Sequence, residues 1–238
     1  MQLFHIDPDK IHIKWDNLEI FPVHELISQL RKVLRIQKWD KICIQYSEKD
    51  KTTRFELSVL NRTDKNLEAK IVSSKDFDLN KKNVSMLIAM PNKREKAELI
   101  VQKLTEIWVQ NIYFWVSEHS IIRQWNEKKS ERLDKISREA VEQSRWTQMP
   151  QIKFVKSEDE LKKIVAWKSV TIANMAWLPY WEIGKIWDKD LFWVVWPEWW
   201  FSEKDLKMFE NAKIVDLWEN VLRMETASIV LSRILKNM

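Results

Sequence analysis

The feature that most constrains this chain is its near-absence of glycine. The 238 residues contain one glycine, Gly184, and 15 tryptophans. Ordinary usage of about 7% would supply roughly 17 glycines, so the glycine and tryptophan counts together come close to the expected number of glycines. Turns and helix ends use glycine because it adopts a positive φ angle without steric cost. Other residues must therefore stand in this chain where glycine is normally needed.

The tryptophans occupy positions that are typical of glycine. Trp108 follows a helical pattern over 93–107, where a glycine in the left-handed conformation often ends a helix. Trp39 and Trp187 each precede an aspartate in segments with the character of turns. We interpret most or all of the tryptophans as glycine codons translated with the wrong table, as in a code where UGA means glycine. The alternative is a tryptophan-rich binder of carbohydrate or single strands, which would align its indoles on one face.

Composition and charge limit the functional classes. Cys43 is the single cysteine, which excludes a disulfide framework and a cysteine zinc site and fits a reducing cytoplasm. The four histidines lack metal-ligand spacing, so we expect no metal. We see neither a secretory signal nor an apolar run of about 18 residues, and we expect a cytoplasmic protein outside the membrane. The net charge of +5 permits an RNA partner, because lysine and arginine neutralise phosphates.

The chain divides by pattern into two parts. Residues 1–72 show short strands with alternating apolar positions and one helix over 22–33, which predicts a small β-barrel. Residues 73–83 are polar and without periodicity, and we predict a linker there. Residues 84–238 alternate strands with helices, which predicts an α/β domain with a mainly parallel sheet.

One stretch combines a strand with unusual loop residues. The apolar strand 191–195 runs into Trp196-Pro197-Glu198-Trp199-Trp200, and Ser202 then opens a helix with a carboxylate three residues later. A strand that ends at a helix N-terminus offers free backbone N–H groups to a ligand, and it needs small residues there. With glycine for tryptophan, the stretch reads FGVVGPEGGFSEKDL, and residues 216–227 read DLGENVLRMETA.

These segments carry a family resemblance. The blocks are a GPEGG loop at 196–200, LG-x-x-(I/V)LR-x-ETA at 217–227, QK-x-TELGV at 102–109, and EQS at 142–144. In this order and spacing the chain resembles the bacterial 16S ribosomal RNA (uracil-1498-N3)-methyltransferases of the SPOUT, or α/β-knot, superfamily. The resemblance implies a trefoil-knotted methyltransferase domain preceded by a PUA-like RNA-binding barrel. It also implies S-adenosyl-L-methionine as cofactor, 16S rRNA in the 30S subunit as substrate, and a homodimer.

The resemblance also assigns site residues. Those expected to bind the cofactor are Met175, Val195, Trp196, Pro197, Glu198, Trp199, Leu217, Trp218, Val221 and Leu222. For Val221 and Leu222, a place in the core is an equal alternative. Those expected to contact RNA are Lys32, Arg35, Lys93, Arg123 and Arg145. His119 and Trp146 stand where the family often has arginine, so Arg123 or Arg145 takes over a basic contact in this interpretation.

Two residues are candidates for catalysis. Methylation at uracil N3 requires removal of the N3 proton and stabilisation of the charge that remains. Arg223 either stabilises that charge or holds a phosphate, and Glu225 either accepts the proton or favours a helix N-terminus. Two other functions stay open: a SPOUT methyltransferase with another RNA target, and a noncatalytic RNA-binding factor in ribosome assembly.

Overall fold

The computed structural model describes residues 1–15, 17–20, 28, 30, 34–63, 66–79, 83–116, 120–123, 125–166, 168–173, 190–195, 207–209, 212–215 and 222–237. The chain forms two compact units. Unit 1 comprises Met1–Leu79 with Val141–Gln148, and unit 2 comprises Asn80–Ala140 with Met149–Met238. The predicted helix over 22–33 lies outside the described residues, apart from residues 28 and 30.

Unit 1 contains a six-stranded sheet. Its strands are β1 (Leu3–His5), β2 (Ile11–Lys14), β3 (Asn17–Ile20), β4 (Lys41–Glu48), β5 (Lys51–Arg62) and β6 (Leu67–Asp78), with a 3₁₀ turn at Pro8–Lys10. The strand order is β1-β4-β5-β6-β3-β2. Only the β1–β4 pair is parallel among the pairs in this sheet. Alternate residues of β5, Phe55, Leu57 and Val59, point into one core, which confirms the barrel-like character predicted for this part.

Strand β6 is longer than the sequence predicts. The predicted linker begins at Ser73, but β6 continues to Asp78 and pairs with the start of β5, from Lys51 to Glu56. Residues 72–76 are exposed, so they lack the alternation of apolar side chains that marks a strand in a sequence. Backbone hydrogen bonds hold this stretch in the sheet, and these bonds do not depend on side-chain polarity. Strand β7 then begins at Asn83.

Unit 2 contains a six-stranded parallel sheet with helices. Its elements are β7 (Asn83–Ala89), α1 (Arg94–Glu106), β8 (Asn111–Trp115), α2 (Glu127–Ser144, whose last four residues belong to unit 1), β9 (Gln151–Val155), α3 (Glu158–Val165), β10 (Ser169–Ala173), β11 (Asp190–Val195), β12 (Lys213–Val215) and α4 (Met224–Asn237). The strand order is β12-β10-β11-β7-β8-β9, and every described pair is parallel. This architecture confirms the predicted α/β class. The trefoil knot stays a prediction.

The parallel sheet is buried on both faces. Met86 and Ile88 of β7 pack in one apolar cluster with residues of α1, α2 and α4, and the intervening Leu87 packs in a second cluster with Leu161 of α3. Strands with two buried faces are largely apolar, which is why β7 is continuously apolar from Met86 to Ala89 and β11 from Leu191 to Val195. Among the described helices, none is both long and apolar enough to cross a membrane.

Residues 141–148 bind to the sheet of unit 1. The backbone N–H of His5 donates to Glu142 Oε1 at 2.9 Å, so the glutamate of the EQS block holds strand β1. The buried Gln45 side chain donates through Nε2 to the carbonyl oxygen of Trp146 at 2.8 Å. Its Oε1 accepts from Arg54 Nε and Nη2 at 3.0 and 2.7 Å.

The following residues of this segment are held in the same way. Arg54 Nη2 also donates to the carbonyl oxygen of Arg145 at 2.9 Å, and Thr52 Oγ1 donates to the carbonyl oxygen of Thr147 at 2.6 Å. Three consecutive carbonyl groups, from 145 to 147, therefore accept hydrogen bonds from side chains of β4 and β5. The sequence patterns did not predict that this segment belongs to unit 1.

Three tryptophans adopt a backbone conformation that favours glycine. The φ angles of Trp15, Trp39 and Trp108 are 57°, 74° and 75°. At the end of α1, the N–H of Val109 donates to the Leu104 carbonyl, and the N–H of Trp108 donates to the Thr105 carbonyl. This is the Schellman pattern, in which the residue at the position of Trp108 is usually glycine. These conformations support the glycine interpretation of the tryptophans.

Candidate functional site

The carboxyl ends of three neighbouring strands define the candidate site. Strand β10 lies between β11 and β12, and its last residue, Ala173, pairs with both Val195 and Val215, the last residues of those strands. Because all three strands run parallel, the segments that follow them start at one edge of the sheet. The predicted cofactor residues belong to these three segments. Ligands of open parallel sheets bind outside the carboxyl ends of the strands, so the register supports a site at this edge.

Two of the predicted cofactor residues lie in the described part of the chain. Val195 is buried at the end of β11, and Leu222 is half-buried and packs against the same apolar cluster. Both are apolar residues at the strand edge, which suits the wall of a pocket for an adenine ring or a methionine chain. The remaining cofactor residues lie outside the described residues: Met175, Trp196, Pro197, Glu198, Trp199, Leu217, Trp218 and Val221.

The start of helix α1 lies at the same edge. Strand β7 pairs with β11 in parallel, with Ile88 opposite Val195, and the chain continues from β7 directly into α1. Lys93 precedes α1 with an extended backbone, φ −131°, and its side chain is exposed. An exposed cation at the end of the sheet suits contact with a phosphate. The RNA contact of Lys93 stays a prediction.

The start of helix α4 carries both candidate catalytic residues. The Arg223 carbonyl accepts the N–H of Ala227 at 2.8 Å, which forms the first turn of the helix, and the Arg223 side chain is exposed. Glu225 lies in that first turn, and only 13% of its side chain is exposed. A carboxylate in this position is favoured by the helix dipole. The two side chains thus differ sharply, because one faces solvent and the other is largely buried.

A lysine that sequence analysis missed accompanies Glu225. Lys96, in the first turn of α1, places its Nζ 3.7 Å from Glu225 Oε2, and 21% of its side chain is exposed. On the same helix, Glu98 pairs with Arg94 at 2.6 Å and with Arg132 of α2 at 3.6 Å. No sequence pattern links Lys96 to Glu225, since the pairing depends on how α1 and α4 pack. The described residues contain no cluster of His, Cys, Asp and Glu suited to a metal ion.

The predicted RNA-binding residues fall in both units. Arg35 and Arg145 belong to unit 1, are exposed, and have positive φ angles of 50° and 55°. The Arg145 guanidinium donates to the Met1 carbonyl oxygen at 3.2 Å. Arg123 belongs to unit 2 and is exposed, whereas Lys32 lies outside the described residues. Their roles in RNA binding stay predictions.

Solved structures share this fold along nearly the whole chain. One is a ribosomal RNA small subunit methyltransferase E from Neisseria gonorrhoeae bound to S-adenosyl methionine, with a TM-score of 0.81, 20% identity, and coverage of 100% of this chain and 97% of that one. Another, from Legionella pneumophila, is described as a methyltransferase in complex with the cofactor, with a TM-score of 0.80, 20% identity, and coverage of 100% and 98%. A comparison with curated protein sequences finds no match.

The family is established by sequence. Residues 78–236 match the RNA methyltransferase domain family, and this segment makes up most of the 238 residues. The match covers unit 2, including the parallel sheet, helices α1 and α4, and the edge where the candidate residues lie. The protein therefore belongs to the RNA methyltransferase domain family.

Proposed function

We propose that this protein methylates N3 of a uracil in 16S ribosomal RNA, at a position of the 1498 type, with S-adenosyl-L-methionine as methyl donor. The observation that carries the proposal is the shared carboxyl edge of β10, β11 and β12. The segments that match the GPEGG and LG-x-x-VLR-x-ETA blocks follow β11 and β12 closely in the sequence. Family membership and the two cofactor-bound structures of the same fold support the choice of donor.

The residues at this edge suit the chemistry. When bound, S-adenosyl-L-methionine would supply an electrophilic methyl group. The N3 proton of uracil is only weakly acidic at neutral pH, so the protein must accept it or stabilise the anion that its removal leaves. The largely buried carboxylate of Glu225 suits proton acceptance, and the exposed guanidinium of Arg223 suits an anionic base or a phosphate.

The substrate is proposed to be the 30S particle, with the sheet of unit 1 as a PUA-like RNA-binding module. Arg35 and Arg145 are exposed cations of that unit and suit phosphate contacts. We also propose the trefoil knot, a homodimer and a cytoplasmic location, which rest on the resemblance of the four sequence blocks. Two alternatives are an RNA methyltransferase with a different target and a noncatalytic assembly factor.

The test uses the full-length chain with glycine at the 15 tryptophan positions. Incubated with 30S particles that lack the modification and with labelled S-adenosyl-L-methionine, it is expected to add one methyl group to N3 of a single uridine in 16S rRNA. Nucleoside mass spectrometry identifies the modified atom. Arg223→Met is expected to lower kcat about a hundredfold, within the range for lost electrostatic stabilisation of a transition state.

The other outcomes separate the alternatives. Methyl transfer to a ribose or to a guanine would reject the proposed target and favour a different RNA specificity. Binding of 30S particles without any binding of S-adenosyl-L-methionine would favour the noncatalytic assembly factor. Lys128→Met, which removes an exposed cation from α2, serves as a matched control and is expected to retain kcat.

A further inference from the structure

Helices α1 and α4 bring one acid–base pair together at the strand edge. Both helices pack on the same face of the parallel sheet, where Ala97 and Ile100 of α1 share an apolar cluster with Ala227 and Leu231 of α4. Lys96 directly precedes Ala97, Glu225 lies two residues before Ala227, and Lys96 Nζ is 3.7 Å from Glu225 Oε2. Buried side chains of this cluster hold the starts of α1 and α4 close together, so Lys96 and Glu225 remain within reach of each other.

Within the described part of the chain, no group donates a hydrogen bond to the Glu225 oxygen next to Lys96. The distance of 3.7 Å allows electrostatic attraction but exceeds the 2.7–3.2 Å of an ordinary N–H···O bond. Oε2 is buried, and it accepts no hydrogen bond from the described residues. Buried carboxylate oxygens are costly without a donor, and most of them have one. An N–H group of a bound ligand would satisfy this oxygen.

We infer that Lys96 is a positioning residue that holds the Glu225 side chain in the orientation in which it accepts a proton from the substrate base. The inference rests on the proposed function. The uracil N3–H proton passes to Glu225 Oε2, and the N3 electron pair then forms the bond to the donor's methyl carbon. The bond from that carbon to sulfur breaks, and its electron pair stays on sulfur. The neutral carboxylic acid of Glu225 afterwards releases the proton to water.

The charge of Lys96 favours this sequence of steps. A cation within 4 Å attracts a carboxylate and so limits the orientations of its side chain. At 3.7 Å the lysine does not hydrogen-bond Oε2, so it does not occupy the acceptor position of that oxygen. A purely structural ion pair between α1 and α4 would instead affect folding alone.

The experiment compares five variants of the full-length glycine-containing chain: Lys96→Met, Lys96→Arg, Glu225→Gln, the double variant with Lys96→Met and Glu225→Gln, and Lys103→Met. Lys103 is the matched control, because it lies on the same helix and its partner, Glu106, is on that helix at 2.9 Å. For each variant, kcat and KM are measured on 30S particles, S-adenosyl-L-methionine affinity is measured by calorimetry, and Tm is measured by differential scanning calorimetry.

We expect Lys96→Met to lower kcat at least tenfold with little change in KM or cofactor affinity, and Lys96→Arg to restore most of the rate. Glu225→Gln should lower kcat at least as far, and adding Lys96→Met to it should cause no further loss, because the two residues act as one unit. Lys103→Met should retain kcat.

Four results would overturn the inference. These are an unchanged kcat in Lys96→Met, an unchanged kcat in Glu225→Gln, an arginine variant as slow as the methionine variant at equal Tm, and additive losses in the double variant. The parent chain separates this failure from failure of the proposed function. If the parent methylates uracil N3 while Glu225→Gln stays fully active, only the inference fails. If the parent does not methylate at all, the proposed function fails. The pairing of Lys96 and Glu225 is then tested by Tm alone, and Tm changes of the single variants that simply add in the double variant would reject it.

Discussion

Trp39 and Trp108 have backbone conformations that glycine would adopt at lower cost. For residues with a Cβ atom, the left-handed conformation brings Cβ close to the following carbonyl oxygen and costs roughly 1–2 kcal/mol. Trp39 and Trp108 have this conformation, at φ 74° and 75°. The Trp39 indole is 63% exposed, so burial of the ring offsets little of that cost. Glycine at these positions would carry no such penalty.

Replacing Trp108 tests this reasoning directly. In a chain with glycine at the other 14 tryptophan positions, Trp108→Gly is expected to raise the free energy of unfolding by about 1 kcal/mol, whereas Trp108→Ala is expected to gain much less, because alanine retains the Cβ atom. Urea denaturation of the two variants measures the difference. Equal stability of the alanine and glycine variants would contradict the steric argument.

The native polypeptide offers an independent check on the same residues. Peptide mass spectrometry should find glycine at the positions of Trp39 and Trp108. Tryptophan at both positions in the native protein would reject the glycine interpretation.

At the scale of elements, one polar network joins the end of α2 to the strands of unit 1. The Gln45 side chain is fully buried, and both of its polar atoms are used: Nε2 by the Trp146 carbonyl and Oε1 by Arg54. Trp146 belongs to the segment 141–148, and Arg54 donates a hydrogen bond to the Arg145 carbonyl of that segment. A buried network of this kind stabilises a structure only while all its members are satisfied.

Gln45→Leu is expected to lower the free energy of unfolding of unit 1 by about 1–3 kcal/mol, because it leaves a buried carbonyl and a guanidinium without their partner. Gln143→Leu, at an exposed position near the end of α2, serves as the control and is expected to change stability by less than about 0.5 kcal/mol. Guanidinium denaturation monitored by circular dichroism measures both. If the two variants have the same stability, the network does not hold this segment.

For the whole molecule, the summed free-energy cost of the tryptophans is expected to exceed the small free energy of unfolding of a folded domain. Domains are stable by only about 5–15 kcal/mol. Three of the 15 tryptophans have left-handed backbones in the described residues, and the indole N–H groups of Trp115 and Trp193 are buried without a hydrogen bond there. An unsatisfied buried donor costs about 1–3 kcal/mol. Summed over several positions, costs of this size are as large as the free energy of unfolding of a domain.

The chain with 15 tryptophans is therefore expected to be unfolded or aggregated and to bind no S-adenosyl-L-methionine, whereas the chain with glycine at all 15 positions folds. Glycine at Trp196, Trp199, Trp200 and Trp218 alone is expected to recover less stability than glycine at every position. Scanning calorimetry and isothermal titration with the cofactor check both statements. A cooperative transition with measurable cofactor binding in the tryptophan chain would show that its indoles are genuine.

Local patterns in the sequence determined most of the fold. The alternation of apolar residues predicted β4 and β5, and the helical period predicted α1 and α4, because each pattern is a direct consequence of backbone geometry. The ordered blocks predicted an RNA methyltransferase, and the match over 78–236 confirms that family. Strands β2 and β3 were missed because each alternates apolar and polar residues over only four positions, the shortest length at which such a pattern indicates a strand.

The tertiary structure alone decided which distant residues meet. Nothing in the sequence near Lys96 marks it as a partner of Glu225, because their approach depends on α1 and α4 packing on one face of the sheet. The polar stretch 73–78 became a strand by pairing with β5, which single-sequence patterns do not record. The placement of 141–148 in unit 1 depends on donors from Gln45 and Arg54. Periodicity reports how one element faces a core, whereas such contacts arise only when separate elements come together.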